Sequence, residues 1–132
     1  MRRLVTAIAA LSLTTVLAAA GWDPQAFSKQ DTLEFLTVED GAEHWSTVWL
    51  VVIDNQLYVR LGSRAAARIE RNATKPIIKV RIAGETFDKV KGESVPDMAD
   101  AVAKAMAAKY TSDMFVRYFD HPLTMRLTPE AS

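Results

Sequence analysis

One segment of this 132-residue chain restricts the possible folds more than any other. The run from Thr47 to Ile53 reads Thr-Val-Trp-Leu-Val-Val-Ile and is rich in β-branched and aromatic residues. Such residues favour strands, and apolarity that continues rather than alternates indicates burial on both faces. Asp54-Asn55 follows, and both residue types tolerate the positive φ of a two-residue hairpin turn. Because Gln56 to Leu61 can return as the second arm, the chain is expected to build an antiparallel sheet.

The rest of the chain divides into short elements separated by turn and cap residues. Further strands are predicted over Asp31–Val38, Ile77–Ile82, Glu85–Val90 and Leu123–Leu127, with turns at Asp40-Gly41 and Ala83-Gly84. Helices are predicted over Pro24–Lys29, from a cap at Ser63 to Asn72, over Pro96–Tyr110 and, as a short piece, over Asp113–Phe119. Mostly antiparallel strands with inserted helices indicate an α+β fold, namely a small closed or half-open β-barrel with two main helices.

The N-terminus has the order of a signal peptide. Arg2 and Arg3 precede an uncharged run from Leu4 to Leu17, and small residues follow up to Ala20. We therefore predict a signal peptide over residues 1–20, one domain over residues 21–132, and a periplasmic or secreted location. A membrane-spanning helix needs roughly 20 apolar residues, so an uncleaved anchor is the weaker alternative and we expect no membrane association after cleavage.

Composition excludes several classes of function. The chain has no cysteine, which rules out disulfides, thiolate catalysis and cysteine-ligated metals. Without Arg2 and Arg3, 14 basic residues face 16 acidic ones, and a formal charge of −2 argues against a nucleic-acid binder. The only two histidines, His44 and His121, lie far apart, so no metal site is expected. A small exported domain without disulfides relies on its core or on a dimer interface.

Half of those basic residues lie between Arg60 and Arg81, where a single acidic residue, Glu70, opposes them. Arg64 and Arg68 recur at helical spacing within this segment. Arg60 ends a strand beside the predicted helix start, where free N–H groups and the helix dipole favour an anion. The pattern predicts a phosphate cradle, although a solvated helix face is the simpler alternative.

Other residues are expected near this cradle. The cap hydroxyl of Ser63 can contribute directly, and Lys79 and Arg81 can approach from the next strand. Trp45, at the mouth of the buried strand, is the candidate for stacking on a ligand ring, whereas Trp49 is expected in the core.

The segment HWSTVWLVVIDNQLYVRLGSRAAARIERNATKP, followed by IIKVRIAG, resembles the flavin-binding split-barrel proteins. These include the pyridoxamine-phosphate-oxidase-like and deazaflavin-dependent nitroreductase-like families. Leu57–Arg60, Asn72 and Pro76 fill the places of their hairpin end, helix exit and following turn. The stretch from His121 to Pro129 looks like the closing strand of a small branch of that superfamily.

This resemblance implies a homodimeric six-stranded split barrel with FMN or a deazaflavin near the dimer interface. Arg60, Ser63 and Arg64 match the phosphate-contacting turn of the family. Lys79 is a looser match on the next strand, and Thr47 and Trp49 match the strand before the hairpin.

Two functions follow as expectations. The first is a flavin- or deazaflavin-dependent oxidoreductase or carrier, in which the cofactor does the electron chemistry; this agrees with the lack of a recognisable catalytic motif. The alternative is a non-enzymatic exported module that binds a phosphorylated, carboxylated or haem-type anion, or a protein partner. A scaffold with no small ligand is the third possibility.

Overall fold

A computed structural model describes residues 21–110 and 123–130. The predicted signal peptide and the predicted helical piece over Asp113–Phe119 lie outside these residues. The strands are β1 Thr32–Glu39, β2 Ala42–Ile53, β3 Gln56–Leu61, β4 Ile77–Ile82, β5 Glu85–Ser94 and β6 Leu123–Pro129. The helices are α1 Pro24–Phe27, α2 Ser63–Arg71 and α3 Ala99–Lys109, the last preceded by a 3₁₀ turn over Pro96–Met98.

The six strands close into one antiparallel barrel in the order β1-β2-β3-β6-β5-β4. The predicted α+β fold, a small antiparallel barrel with two main helices, is therefore confirmed.

The three predicted hairpin turns are present. Asp54 and Asn55 join β2 to β3 with φ of 50° and 61°. Two further left-handed pairs, Asp40-Gly41 and Ala83-Gly84, join β1 to β2 and β4 to β5. Adjacent positive φ values match the twist of the flanking strands, so the turn residues fix the hairpin registers.

β6 runs two residues past its predicted end to Pro129, and two strands extend much further than their sequences predict. β2 begins at Ala42 rather than Thr47, because its exposed first residues pair with β1 as far as Glu39↔Ala42. β5 continues past Val90 to Ser94 because β6 pairs with it there. In both cases long-range hydrogen bonds extend the strand beyond its apolar stretch.

β2 changes its partner halfway along. Its first part pairs with β1 up to Thr32↔Trp49, and its last part pairs with β3 from Leu50↔Val59. β3 pairs on its other side with β6, up to Leu61↔Leu123. β2 and β3 therefore separate beyond Leu50, on the side from which α2 starts.

Two apolar clusters lie on opposite faces of the barrel wall. The inner cluster fills the barrel with side chains such as Phe35, Leu50 and Val80, which are at most 1% exposed. The outer cluster joins Val51 and Tyr58 to Val102 and Met106 of α3 and related residues. This explains the continuous apolar run of β2, since alternate residues enter the two clusters.

The three helices pack against different parts of the barrel. α1 brings Phe27 into the inner cluster, where its ring makes edge-to-face contacts with Trp22 and Phe87. α2 contributes Ile69 to the same cluster. α3 lies against the outer face of the wall and buries Val102 and Met106, as the predicted apolar stripe requires.

Tyr110, directly after α3, forms hydrogen bonds with the backbone where β2 changes its partner strand. Its hydroxyl lies 2.6 Å from the Leu50 carbonyl oxygen and 2.7 Å from that of Asp31, and it accepts the Leu50 N–H at 3.2 Å. Lys109 Nζ also donates to the Leu50 carbonyl oxygen, at 3.1 Å. Burial raises the pKa of the Tyr110 phenol, so the folded protein favours the neutral, hydrogen-bonding form.

We predict that Tyr110→Phe lowers the free energy of unfolding by about 1–3 kcal/mol, because the substitution removes the hydroxyl that accepts the buried Leu50 N–H and donates to the backbone. The wild-type contribution should be present below the unfolded pKa of about 10 and decline as pH rises through the raised folded value. Urea unfolding of both proteins at pH 7 and between pH 9 and 11 measures this. An unchanged wild-type advantage at pH 11 would contradict the account.

Candidate functional site

A cleft of about 510 Å³ opens where β2 and β3 separate. Five consecutive β2 residues form one wall, because both faces of the strand border the cleft near this opening. The start of α2 forms the opposite wall, and α3 contributes one apolar side chain. The lining residues are Thr32, Trp45, Ser46, Thr47, Val48, Trp49, Arg60, Gly62, Arg64, Ala65, Arg68 and Met106.

Three arginines line the cleft. Arg60 reaches it from the end of β3, whereas Arg64 and Arg68 lie one turn apart on α2. Arg68 Nη1 donates to Ser46 Oγ at 3.1 Å, a bond that ties α2 to β2 across the opening. Among the described lining residues, the charged side chains are these three arginines, so this wall of the cleft is positive.

Aromatic rings lie along the β2 wall. Trp49 stacks on Tyr110 with ring centroids 4.5 Å apart and planes at 12°. The expectation that Trp49 belongs to the core is thus only half right: it packs on the outer cluster and also borders the cleft. Trp45 is 36% exposed, and the Arg81 guanidinium lies 4.0 Å from its ring centroid.

The structure brings most of the predicted site residues together. Trp45, Thr47, Arg60 and Arg64 all line the cleft. Ser63 lies beside it in an adjoining groove that also contains Arg64 and Arg68. Lys79 lies elsewhere, on β4, where it faces Asp88 at 3.7 Å.

Ser63 does not cap α2 as predicted. Gly62 is the N-cap residue, with extended backbone, and its carbonyl oxygen accepts the Ala66 N–H at 2.9 Å. Ser63 is the first helical residue, because the backbone is still extended at Gly62 and becomes helical at the next position. Its hydroxyl remains at the helix start, in the groove beside the cleft.

Sequence reasoning missed the part that Ser46 and Thr32 play. Ser46 points towards the barrel interior, where it is 8% exposed, and yet it bonds Arg68 across the opening. Neither residue carries a local signal, because each becomes part of the site through pairing between distant strands.

The C-terminal end of α2 is anchored to β1. The Asn72 side-chain oxygen accepts the Val38 N–H at 2.9 Å, and its amide donates to the Ile77 carbonyl oxygen at 3.1 Å. Arg71 forms an ion pair with Glu39 and lowers the pKa of that carboxyl group through a hydrogen bond and charge. These contacts fix the direction of α2 and therefore the positions of its arginines.

Two kinds of feature are absent from the described ranges. Residues 21–110 and 123–130 contain no group of three or more histidine, aspartate and glutamate side chains placed to hold a metal ion. Within the same residues, no helix has both the length and the apolarity needed to cross a membrane.

No protein-family model and no curated protein matches the sequence. Solved structures do match the fold. The haem storage protein HutZ from Vibrio cholerae superposes with a TM-score of 0.62 and 18% identity, covering 82% of this chain and 88% of HutZ. An F420-H2-dependent reductase gives 0.58 and 8%, covering 75% and 94%. An FAD-binding protein from Mesorhizobium loti gives 0.57 and 11%, covering 80% and 86%.

These likenesses confirm the split-barrel fold that the family resemblance implied. A further match, with a TM-score of 0.57, 8% identity and coverage of 93% of this chain and 98% of the other, is described as a domain-swapped dimer. At such identities the shared feature is the fold, and the function has to be argued from the cleft.

We predict that Arg71→Gln raises the pKa of the Glu39 carboxyl group towards its ordinary value, because the hydrogen bond from Arg71 is the main cause of the lowered pKa. A carboxyl NMR titration measures this change. Glu93, whose pKa Arg126 lowers in the same way, serves as the internal control and should keep its value. If the pKa of Glu39 stays low in the variant, Arg71 does not anchor the end of α2.

Proposed function

We propose that this protein binds a flavin or deazaflavin cofactor in the cleft between β2 and α2 and uses it in a redox reaction on a small molecule. One observation carries the proposal: a single cleft combines an arginine group with a tryptophan-bearing wall. A flavin-type cofactor has the matching chemistry, since its planar ring system is joined to an anionic tail.

The dimensions and donors of the cleft fit such a molecule. Small-molecule sites commonly measure about 300–1,000 Å³ and combine apolar walls with a few polar groups. Arg60 and Arg64 can hold an anionic group through charge-assisted hydrogen bonds. Trp45 and Thr47 offer a ring surface and a hydroxyl group on the opposite wall.

The charged residues of the cleft also fit a protein that leaves the redox chemistry to a bound cofactor. Arginine stays protonated in proteins and is a poor proton donor or acceptor, so the described charged residues of the cleft suit binding rather than acid–base catalysis. A bound flavin or deazaflavin would supply the electron and hydride chemistry. The residues of this chain would bind the anionic tail, orient the ring and restrict access of water.

The fold comparisons support a cofactor-binding role without selecting one cofactor. Two of the matched proteins are named for F420-H2-dependent reduction and for FAD binding, and a third is named for haem storage. The likeness to HutZ favours one alternative, a non-enzymatic module that binds haem or another anionic ligand in the same cleft. Binding to a protein partner is a further form of this alternative.

Assembly and location belong to the same proposal. We infer a homodimer, supported by the domain-swapped dimer among proteins of this fold. We also infer export to the periplasm or beyond the cell, supported by the charged start, the apolar run and the small residues before Gly21.

We predict that the purified mature chain binds FMN, FAD or F420 and that Arg60→Ala or Arg64→Ala weakens binding at least about tenfold. A hydrogen bond to a charged group contributes roughly 1.5–3 kcal/mol, and 1.4 kcal/mol corresponds to a factor of ten. Absorption and fluorescence titrations give the dissociation constants, and hemin is titrated in parallel.

Lys75→Ala is the control for this experiment. Lys75 belongs to the same basic segment but lies beyond α2, where it pairs with Glu70 at 3.3 Å. The cofactor affinity of Lys75→Ala should equal that of the wild type. All three variants should keep the wild-type circular dichroism spectrum. If Arg60→Ala and Arg64→Ala also bind the cofactor with wild-type affinity, the proposed binding site is wrong. If the protein binds hemin but no flavin or deazaflavin, the proposed site is kept, and the non-enzymatic binding module becomes the favoured function.

We predict that the chain expressed with its full N-terminus is cleaved after Ala20, so that the exported protein begins at Gly21. Intact mass and N-terminal sequencing of the periplasmic or secreted fraction measure this. Ala18→Leu and Ala20→Leu together should block cleavage, since signal peptidase requires small residues there. A full-length chain that stays in the cytoplasmic fraction would contradict export.

A further inference from the structure

Trp45 stands out among the described residues as the exposed large apolar side chain, with 36% of its surface accessible. An exposed side chain on a strand ordinarily exchanges rotamers within nanoseconds, which would make it a poor wall for a binding site. This indole is in contact with a second side chain on the same sheet face.

Arg81, from β4, covers one face of the ring. Its Cζ atom lies 4.0 Å from the ring centroid, and its Nη1 donates to Glu34 Oε1 at 3.1 Å. Glu34, on β1, therefore limits the movement of the guanidinium, and the guanidinium covers the indole. A planar guanidinium suits both tasks, because it stacks on an aromatic face while its edge donates to a carboxylate.

Strand registers explain why these three residues meet. Glu34 is directly opposite Thr47 on β2 and directly opposite Arg81 on β4. Thr47, Glu34 and Arg81 therefore form one row across the outer face. Trp45 precedes Thr47 by two residues and shares that face. Its strand is separated from that of Arg81 by β1, so the two long side chains meet over β1. Arg81 itself lines an adjacent groove with Thr32 and Thr47, both of which also border the cleft.

We propose that Arg81, held by Glu34, is a positioning residue that fixes the Trp45 indole as a platform in the cleft. With one face occupied by Arg81, a ligand ring has to stack on the other face. This inference rests on the proposed function and narrows it, since the site then selects a planar aromatic ring joined to the anionic group that Arg60 and Arg64 bind.

Two simpler explanations make different predictions. An ion pair on the surface with no further role would leave the environment of Trp45 and ligand binding unchanged when it is broken. A general attraction of Arg81 for anions would make Glu34→Gln strengthen binding, because that substitution removes a negative charge. Positioning predicts the opposite sign, namely weaker binding in Glu34→Gln.

The experiment uses ¹⁹F NMR of the mature chain labelled with 5-fluorotryptophan at its three tryptophans. Loss of a signal in Trp45→Phe assigns that resonance. Arg81→Gln and Glu34→Gln should shift the Trp45 signal and leave the other two in place. Arg126→Gln is the matched control: it breaks a similar exposed cross-strand pair, with Glu93 at 2.9 Å, and should leave the Trp45 signal unchanged.

Titrations with FMN and with hemin complete the test. We expect Arg81→Gln and Glu34→Gln to weaken ring binding roughly three- to tenfold, the range of an aromatic contact, and Arg126→Gln to have no effect. An unmoved Trp45 signal in Arg81→Gln, or tighter binding in Glu34→Gln, overturns the proposal. If the wild type binds none of FMN, FAD, F420 and hemin, the proposed function fails, and the NMR signal alone decides whether Arg81 holds the indole.

Discussion

The exchange of partners along β2 is the constraint on which the rest of this structure depends. Hydrogen bonds to β1 end at Trp49, and those to β3 begin at Leu50. The exchange lets six strands close a barrel while one side of β2 opens into a cleft. Tyr110 bonds the backbone at this point, so the helix that covers the outer wall also holds the opening in place.

The electrostatics of the cleft follow from the same geometry. Arg60 is the penultimate residue of β3, and the chain enters α2 directly after Leu61 and Gly62. Arginines from the strand end and from the helix therefore lie on one wall of the cleft. The Arg68–Ser46 bond and the anchoring of Asn72 hold that wall against β1 and β2. The opposite wall carries aromatic rings and remains free of charge among the described lining residues. Because the arginines and the aromatic rings lie on separate walls, the cleft suits the proposed cofactor, which joins an anionic tail to a planar ring.

Local sequence was sufficient for some features and insufficient for others. The turn at Asp54-Asn55 was predictable because few residue types accept positive φ, and the grouping of Arg60 with Arg64 followed from the adjacency of strand end and helix start. The long first part of β2 was not predictable, since polar residues there become strand through pairing with β1. Lys79 was placed near the cleft by its charge, but the register sets it across Leu36 from Trp45, beside Asp88.

Packing restricts the side chains of β2 to very different degrees along the strand. Leu50, on the inward face, is fully enclosed in the barrel, whereas Trp45 and Thr47, on the outward face, are exposed and border the cleft. Substitutions at Trp45 and Thr47 can therefore change the lining of the cleft with little effect on the inner core. A barrel that allows such changes agrees with the occurrence of one fold in proteins of very low identity whose names refer to chemically different cofactors.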